Sequence, residues 1–528
     1  MTVELELGRL RWMRPMVLLG ALLALIAILP ASARADDEVI VQFDRGTSLS
    51  EGGALVRSLG GRVERELRII NGVGAVVSPS ATGALERDPR VRAVSANAPV
   101  VKRASSIYEP WRLRTSFNQS LEATKAWQDG LTGRGVGVAV VDTGVAGNLP
   151  DFQVSSYNSR SRVVASAVVN PDARNAGDSF GHGTHVAGLI AGNGNNRPGW
   201  DSADGDYVGV APNANLISVK ISDEEGNASL IDVIDGVQFA VDHKDDYNIR
   251  VLNLSLSSTV AESYKTDPLD AAVEEAWFQG IVVVAAAGNA GSDNDAVSFS
   301  PGNDPYVLTV GAVDDQGTDY TGDDKLTSWS SHGKTQDGLS KPEILAPGAH
   351  LASVMAPGSD YARRCPECII GRGYMELGGT SMSAALVSGA AADVIEAHPN
   401  WTPDQVKGAL INTARDVPGV GVEPRVDDAA ALNDGSNKLR SNLGLTPSNL
   451  INTATGRIDF RRATWFRASW RSADRLLAAL WSPLASWRCA TCATSEADRA
   501  DQDASWRASW RASWRASWRA SWRTSFTK

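Results

Sequence analysis

The stretch GGTSMSAALVSG, residues 378–389, decides how the rest of the chain is interpreted. Two glycines allow a close backbone approach, and Thr380 and Ser381 then lead into an apolar run at 384–395 that predicts a buried helix. A hydroxyl at a helix N-terminus lies beside unpaired N–H groups and the positive end of the helix dipole. Ser381 is therefore the candidate nucleophile, because an oxyanion formed there would find donors in place. The alternative is an ordinary helix N-cap.

Three other segments supply the groups that a serine nucleophile needs. The β-branched run VGVAVV at 136–141 predicts a buried parallel strand that ends at Asp142. The segment GHGTHVAG carries His182 between small residues that permit close approach of another segment. The run AAAGN ends a further strand at Asn289, whose amide can donate a hydrogen bond. A carboxylate, an imidazole and an amide thus accompany the serine.

In this order, the motifs VAVVDTGV, GHGTHVAG, AAAGN and GGTSMSA resemble those of the subtilisin-like serine proteases. The resemblance covers roughly residues 120 to 430. It implies that Ser381 attacks a peptide carbonyl while His182 moves the proton and Asp142 orients His182. It also implies that the Asn289 side chain and the Ser381 N–H bind the oxyanion. No cofactor is required for this chemistry.

The same resemblance implies where the substrate binds. Gly226 and the segment Ser255, Leu256 and Ser257 should flank an extended peptide as neighbouring strands. Main-chain hydrogen bonds tolerate many side chains, so protein or peptide substrates of broad sequence are expected. One departure is visible, since the family usually carries proline four residues after the serine and this chain has Ala385. We expect activity to survive, with a change of local rigidity only.

The order of predicted elements indicates an α/β fold. Strands and helices alternate from residue 121 onward, which predicts a subtilisin-like parallel sheet flanked by helices. Before it, residues 39–96 predict a small α+β domain of βαββαβ pattern. The resemblance implies that this domain is an inhibitory propeptide that occupies the active-site cleft. An ordinary small domain that stays attached is the alternative.

Four segments follow from these patterns in the 528 residues. Residues 1–35 carry arginines, an apolar run and small residues, as a secretory signal peptide does, with a retained anchor as the alternative. Residues 36–104 form the propeptide, 105–433 the catalytic domain and 434–528 a low-complexity tail. Self-processing is expected between residues 101 and 115, and the sequence alone does not fix the bond. We expect a secreted or envelope-associated zymogen.

Two loops, a pair of histidines and two pairs of cysteines are candidates for metal binding or disulfides. The oxygen-rich loops 192–206 and 291–304 could hold structural calcium, as the family often does, but neither has spaced ligands. His182 and His185 lack the glutamate and spacing of a zinc-protease motif. The pairs Cys365/Cys368 and Cys489/Cys492 are too far apart in sequence for a zinc ribbon, so disulfides are expected in an exported protein, with the connectivity open.

The tail has a different character from the rest of the chain. Residues 504–523 repeat ASWR five times, and residues 461–528 hold 13 basic against 5 acidic residues, a net +8. Since the whole chain carries −10, the remainder carries −18, and no nucleic-acid partner is expected. The tail could associate with the cell envelope, dock on the acidic catalytic domain, or extend without a partner.

Two other functions remain beside the endopeptidase. One is a catalytically silent binding protein, against which the presence of Asp142, His182, Asn289 and Ser381 argues. The other is an envelope-binding protein in which the Trp/Arg tail is the main functional module. If hydrolysis persists after the tail is removed, the endopeptidase is favoured over the envelope-binding protein.

Overall fold

The computed structural model describes residues 37–101, 115–155, 157–195, 207–293, 295–371, 373–433 and 439–458. The predicted signal peptide, most of the predicted processing region and most of the tail therefore lie outside the described residues. Within the described residues, no helix combines the length and the apolar character that a membrane crossing requires.

The helices are α1 (Leu49–Ser58), α2 (Pro79–Leu85), α3 (Phe117–Ser120), α4 (Ala123–Gln128), α5 (His182–Ala191), α6 (Leu230–Asp242), α7 (Pro268–Phe278), α8 (Asp360–Arg364), α9 (Thr380–Ala397), α10 (Pro403–Asn412) and α11 (Val426–Ala431). The strands are β1 (Asp37–Phe43), β2 (Arg62–Leu67), β3 (Gly72–Val77), β4 (Val91–Ala96), β5 (Pro99–Val101), β6 (Gly137–Asp142), β7 (Gln153–Ser155), β8 (Asn158–Ser161), β9 (Val163–Val168), β10 (Asn215–Lys220), β11 (Ala228–Ser229), β12 (Ile249–Leu254), β13 (Ser257–Ser258), β14 (Val282–Ala286), β15 (Leu308–Asp314), β16 (Lys325–Leu326), β17 (Gly333–Lys334), β18 (Ser340–Lys341), β19 (Ile344–Pro347), β20 (Leu351–Val354), β21 (Ile369–Ile370), β22 (Tyr374–Leu377), β23 (Arg415–Val417), β24 (Gly421–Glu423), β25 (Ile451–Asn452) and β26 (Arg457–Ile458). Short 3₁₀ turns occupy Arg68–Ile70, Pro150–Phe152 and Pro366–Cys368.

The N-terminal part is a small α+β unit, as its alternating pattern predicts. Its antiparallel sheet has the order β2-β3-β1-β4, and helices α1 and α2 accompany it. Ser48 and Glu51 form a reciprocal capping box that starts α1. Apolar side chains of the sheet and helices make a separate small core, which includes Val39, Phe43 and Leu85. The unit thus has the hydrophobic interior of a domain of its own.

The larger part is built on an eight-stranded sheet, which confirms the predicted α/β class. Its order is β16-β15-β14-β12-β6-β10-β9, with β19 paired to β15, and every pair is parallel except β15 with β16. The central strands are buried on both faces, which explains their continuous β-branched sequences. Helix α9 packs against β12, β14, β15 and α5, while α6 and α7 pack together and against β12 and β14.

The packed part of the chain continues past the predicted boundary between residues 433 and 434. Leu450 and Ile451 belong to the main core, and the Asn442 side-chain amide donates to the Tyr306 carbonyl at 3.0 Å. The Ser448 N–H donates to both carboxylate oxygens of Glu274, at 2.7 and 2.9 Å. Residues 439–458 therefore pack on the larger part of the chain, although the predicted tail begins at residue 434.

One of the two cysteine pairs lies within the described residues. Cys365 and Cys368 are joined by a disulfide next to α8, and both are buried. This confirms a disulfide for the first pair and settles its connectivity as local. Cys489 and Cys492 lie outside the described residues.

The buried Arg162 side chain connects three segments of the chain: the turn at residues 150–152, the end of α5 and the start of β10. Arg162 is 4% exposed, and its guanidinium donates to the carbonyls of Asp151 at 2.6 Å, Ala191 at 2.7 Å and Ala214 at 3.0 Å. Burial lowers its pKa to about 10, and the charge of Asp151 opposes that shift. The guanidinium therefore stays protonated at neutral pH and links the ends of α5 and β10 to the turn at residues 150–152.

Arg162→Met is expected to lower the free energy of unfolding by roughly 2–5 kcal/mol, because it leaves buried carbonyls without donors and a buried carboxylate without its cation. Arg162→Lys should recover only part of that loss, since an ammonium cannot reproduce the planar set of donors. Urea denaturation followed by tryptophan fluorescence measures both changes.

The matched control is Arg160→Met, at an exposed position on the same hairpin. Equal stability of the Arg162→Met and Arg160→Met proteins would contradict a structural role for the guanidinium.

Candidate active site

The candidate site lies at the carboxyl edge of the parallel sheet. Asp142 is the last residue of β6, and Asn289 follows β14 by three positions. Because parallel strands end at a common edge, their following residues meet there. His182 and Ser381 instead occupy the first turns of α5 and α9, two helices that pack against each other.

The Asp142 carboxylate and the His182 ring form a buried pair. The Nδ1 atom of His182 lies 2.9 Å from Oδ1 and 3.0 Å from Oδ2 of Asp142, and the two residues are 2% and 0% exposed. An ionised carboxylate only accepts hydrogen bonds, so Nδ1 carries the proton and Nε2 keeps its lone pair. The Thr143 N–H donates to Oδ1 of Asp142 at 2.6 Å and fixes the carboxylate.

Small residues around His182 allow this close approach. A Cβ atom at Gly183 would come within 2.2 Å of the Gly144 carbonyl oxygen, so a side chain there would push α5 away from β6. Gly181 precedes the helix with φ of +104°, a conformation that favours glycine. The Asp178 carboxylate accepts from the N–H groups of Gly181 and Thr184, both at 2.7 Å, and anchors the helix start.

Ser381 is tied to the strand that leads away from β12. Its Oγ donates to the Ser255 carbonyl at 3.1 Å, and the Ser255 Oγ donates to the Ser381 carbonyl at 2.8 Å. Asn253 donates to the Ser255 Oγ at 3.0 Å, and Ser388 donates to Asn253, also at 3.0 Å. This chain of polar groups fixes the N-terminal half of α9 against the end of β12.

The orientation of the Asn289 side chain is set by Thr380. The Thr380 N–H and Oγ1 both donate to the Asn289 Oδ1 at 3.0 Å, and Thr380 Oγ1 accepts from the Gly288 N–H at 3.1 Å. With Oδ1 assigned as acceptor, Nδ2 is the donor end of the amide. Thr380 was not among the predicted site residues; its position beside Ser381 in the motif is a signal for it, but its contact with Asn289 is not visible in the sequence.

Of the predicted substrate-binding residues, Ser257 pairs with an extended segment of the chain itself. Strand β5 lies between β11 and β13 in a three-stranded antiparallel sheet. Ser257 belongs to β13 and follows the buried Ser255 and Leu256. Gly226 does not pair with β5; it lies in the turn before β11, with φ of +88° against the Phe180 ring. The pairing residues that the sequence analysis missed are Ala228, Ser229 and Ser258.

The second histidine of the motif has a structural role. His185 is completely buried, and its Nε2 lies 3.1 Å from the carbonyls of Leu351 and Met375. Burial lowers the pKa of His185 to about 3, with the neighbouring His182 a further cause. His185 is therefore neutral near physiological pH and joins α5 to β20 and β22.

The predicted helix after Ser381 forms with Ala385 at the position where the family usually has proline. Ala385 is fully buried within α9, which continues to Ala397. Alanine is the best helix former, so this position supports a regular helix.

No group of three or more His, Cys, Asp or Glu side chains is arranged to hold a metal ion in the part of the chain that the structure describes. Of the two loops considered for calcium, residues 196–206 and Asn294 lie outside that part. Structural calcium therefore stays a prediction.

Comparison with known proteins identifies the family. The model of the subtilase family of peptidases matches residues 133–440. The chain belongs to the subtilase family. This subtilase is 35% identical over 384 residues to serine protease AprX of Bacillus subtilis, which covers 71% of this chain and 82% of that protein. It is 30% identical over 361 residues to subtilisin E of the same organism, covering 68% and 80%. It is a serine endopeptidase.

A solved structure supports the fold of this subtilase. Fervidolysin from Fervidobacterium pennivorans, described as a keratinolytic enzyme related to subtilisin, matches with a TM-score of 0.57 and 25% identity. The match covers 76% of this chain and 62% of the fervidolysin chain, so this subtilase spans less than two thirds of that protein.

Proposed function

We propose that this subtilase is a secreted endopeptidase that cuts peptide bonds with a triad of Asp142, His182 and Ser381. The observation that carries the proposal is the pair of 2.9 and 3.0 Å contacts between His182 Nδ1 and Asp142. That pair leaves His182 Nε2 as the basic atom, on a helix packed against the helix of Ser381.

The proposed reaction has two stages. The Ser381 Oγ attacks the peptide carbonyl as its proton passes to His182 Nε2, and that proton then goes to the leaving amine as the C–N bond breaks. Water next gives a proton to His182 and hydrolyses the Ser381 ester. Asp142 stabilises the imidazolium throughout. The Asn289 Nδ2 and the Ser381 N–H bind the oxyanion, each such donor being worth about 100- to 1,000-fold in turnover, a range taken from a subtilisin.

We further propose that residues 36–104 form an inhibitory propeptide removed by self-processing, after a signal peptide at 1–35. Support comes from the contact between the small domain and helix α6. Arg65 forms ion pairs with Asp232 at 2.9 Å and Asp235 at 3.3 Å, and the Ile69 N–H donates to Gln238 at 2.8 Å. Strand β5 then enters the cleft between β11 and β13, where a substrate would bind.

The C-terminal tail is proposed to hold the enzyme at the cell envelope. The net +8 of residues 461–528 and their regular tryptophans suit an anionic interface, where arginine supplies charge and the indole lies at the boundary. The proposal rests on the sequence, since residues 461–528 lie outside the described residues.

Ser381→Ala should abolish proteolysis of casein and leave the precursor uncut, with a loss of roughly a million-fold, as found for the equivalent change in a subtilisin. Gel analysis and a fluorescent casein assay measure both. Ser292→Ala, at an exposed position, is the control and should behave as wild type. Wild-type processing in the Ser381→Ala protein would refute the assignment.

Thr380→Val should lower kcat about tenfold with little change in KM, because it removes one of the two donors that hold Asn289 Oδ1, while the Thr380 N–H remains. In an Asn289→Ala background the same change should have almost no further effect. Additive losses in the double variant would show that Thr380 does not act through Asn289.

Removal of residues 461–528 should leave casein hydrolysis unchanged and abolish sedimentation with isolated cell envelopes. For the intact chain, sedimentation should decrease from 0.1 M to 1 M NaCl, because the screening length falls from about 10 Å to about 3 Å. If envelope binding is unchanged by both salt and the deletion, the tail is not the segment that binds. Loss of hydrolysis when the tail is deleted would indicate that the tail contributes to catalytic activity.

A further inference from the structure

A tyrosine that the site described above does not include lies beside His182. Tyr361, on helix α8, is 8% exposed. Its ring centroid lies 6.2 Å from that of His182, with the two ring planes at 74°, so the rings meet edge to face. Tyr361 also packs on the ring of Phe180, with centroids 4.9 Å apart. The Tyr361 ring therefore bounds the space in which the His182 imidazole can turn.

The Tyr361 hydroxyl is not a candidate for proton transfer. It is buried and has no hydrogen-bond partner among the described residues. Burial raises the pKa of Tyr361 far above its usual value, and the charges of Asp142 and Asp178 raise it further. The phenol therefore stays protonated and neutral. What Tyr361 offers to His182 is its ring.

Main-chain hydrogen bonds attach α8 to the residues that lead into α5. The Tyr361 N–H donates to the Phe180 carbonyl at 3.1 Å, and the Asp360 N–H donates to the Ser179 carbonyl at 2.9 Å. His182 is the first residue of α5 and follows Phe180 by two positions. A displacement of α8 would therefore carry the tyrosine ring away from His182.

The disulfide of Cys365 and Cys368 holds the other end of α8. The Cys365 N–H donates to the Tyr361 carbonyl at 3.0 Å, and the Cys368 N–H donates to the Cys365 carbonyl at 3.1 Å. Both cysteines belong to the same hydrophobic core as Tyr361. Because α8 has only five residues, it is not stable by itself. The disulfide therefore helps to determine whether Tyr361 keeps its place.

We propose that Tyr361 is a positioning residue for His182 and that the Cys365–Cys368 disulfide keeps it in place, so that reduction by a dithiol lowers turnover. The inference rests on the proposed function, in which His182 is the general base. Rotation of an imidazole about its Cβ–Cγ bond has only a broad preference of its own, so a neighbouring ring is needed to restrict it. A displacement of about 1 Å at a reacting group can cost about 100-fold in rate.

The redox step balances as a thiol–disulfide exchange. A thiolate of the dithiol attacks one sulfur of the pair, the Cys365–Cys368 S–S bond breaks, and a mixed disulfide forms. The second thiolate of the reagent then displaces the cysteine. Two electrons pass to the protein, both cysteines take up protons as thiols, and the reagent becomes a cyclic disulfide.

The first experiment compares variants of the matured enzyme on a peptide substrate. Tyr361→Leu should lower kcat about tenfold or more and change KM less than about twofold, because Tyr361 belongs to neither β11 nor β13. The conservative variant Tyr361→Phe keeps the ring and should recover most of kcat. Tyr157→Leu, at a fully exposed tyrosine, is the control. A wild-type kcat in Tyr361→Leu, or an equal loss in Tyr361→Phe, would overturn the role of the ring.

The second experiment uses the matured wild-type enzyme, so it does not depend on the folding of a variant. Dithiothreitol should lower kcat with little change in KM, once alkylation and mass spectrometry show that Cys365 and Cys368 are reduced. The Cys365→Ala/Cys368→Ala enzyme should already have the lower kcat and should not respond to dithiothreitol. An unchanged kcat in the reduced wild type, or an equal response of the alanine variant, would overturn the role of this disulfide.

A combined variant tests whether the disulfide acts through the tyrosine. Adding Tyr361→Leu to the Cys365→Ala/Cys368→Ala enzyme should lower kcat no further than Tyr361→Leu alone does. If the two losses multiply, the disulfide does not act through Tyr361 and the inference fails.

The Ser381→Ala protein distinguishes this inference from the proposed function. If that protein hydrolyses the peptide as the wild type does, the proposed function fails, and the inference that rests on it fails as well. If Ser381→Ala is inactive while Tyr361→Leu and the reduced enzyme keep the wild-type kcat, only the inference about Tyr361 fails.

Discussion

Two hydrogen bonds between Ser255 and Ser381 connect the segment that follows β12 to the start of helix α9. Ser255 belongs to the segment between β12 and β13, and Ser381 belongs to the first turn of α9. Under the proposed function, a peptide that pairs with β13 is thereby aligned on Ser381. Asn253 and Ser388 extend the link into the buried interior, where satisfied polar networks specify one geometry.

The small N-terminal domain uses the same alignment in its own binding. Its sheet meets α6 through the ion pairs of Arg65, and the Ile231 N–H donates to the Asn97 side chain at 3.1 Å just before β5 begins. Gly74 lies against the Ile231 side chain, where a Cβ atom would come within 2.4 Å. The contacts on α6 and the strand in the cleft belong to one continuous surface, so docking of the domain and placement of β5 are coupled.

The sequence could predict those parts of the structure that local chemistry determines. The central strands and the helices of His182 and Ser381 were predictable, because buried β-branched runs and glycine-bounded motifs leave few alternatives. The partnership of Thr380 with Asn289 was not, since it joins residues 91 positions apart. The segment of Ser255, Leu256 and Ser257 was expected to flank an extended peptide, and Ser257 does pair with β5. The bounds of the two-residue strands β11 and β13 were not predictable, because these strands exist only through pairing with β5. The packing of residues 439–458 could not be predicted from the sequence, because Glu274, Tyr306 and the core hold this short segment and it has no periodic pattern of its own.

Arg162 gives the region at the C-terminal end of α5 a cation that is part of the chain. Its guanidinium donates hydrogen bonds to the carbonyls of Asp151, Ala191 and Ala214. A bound metal ion joins chain segments in a similar way by coordinating their oxygen atoms. The occupancy of a bound ion follows its free concentration, whereas a covalently attached charge is always present. The anchoring of the C-terminal end of α5 at this point therefore does not depend on the ionic composition of the medium and cannot be removed by a chelator.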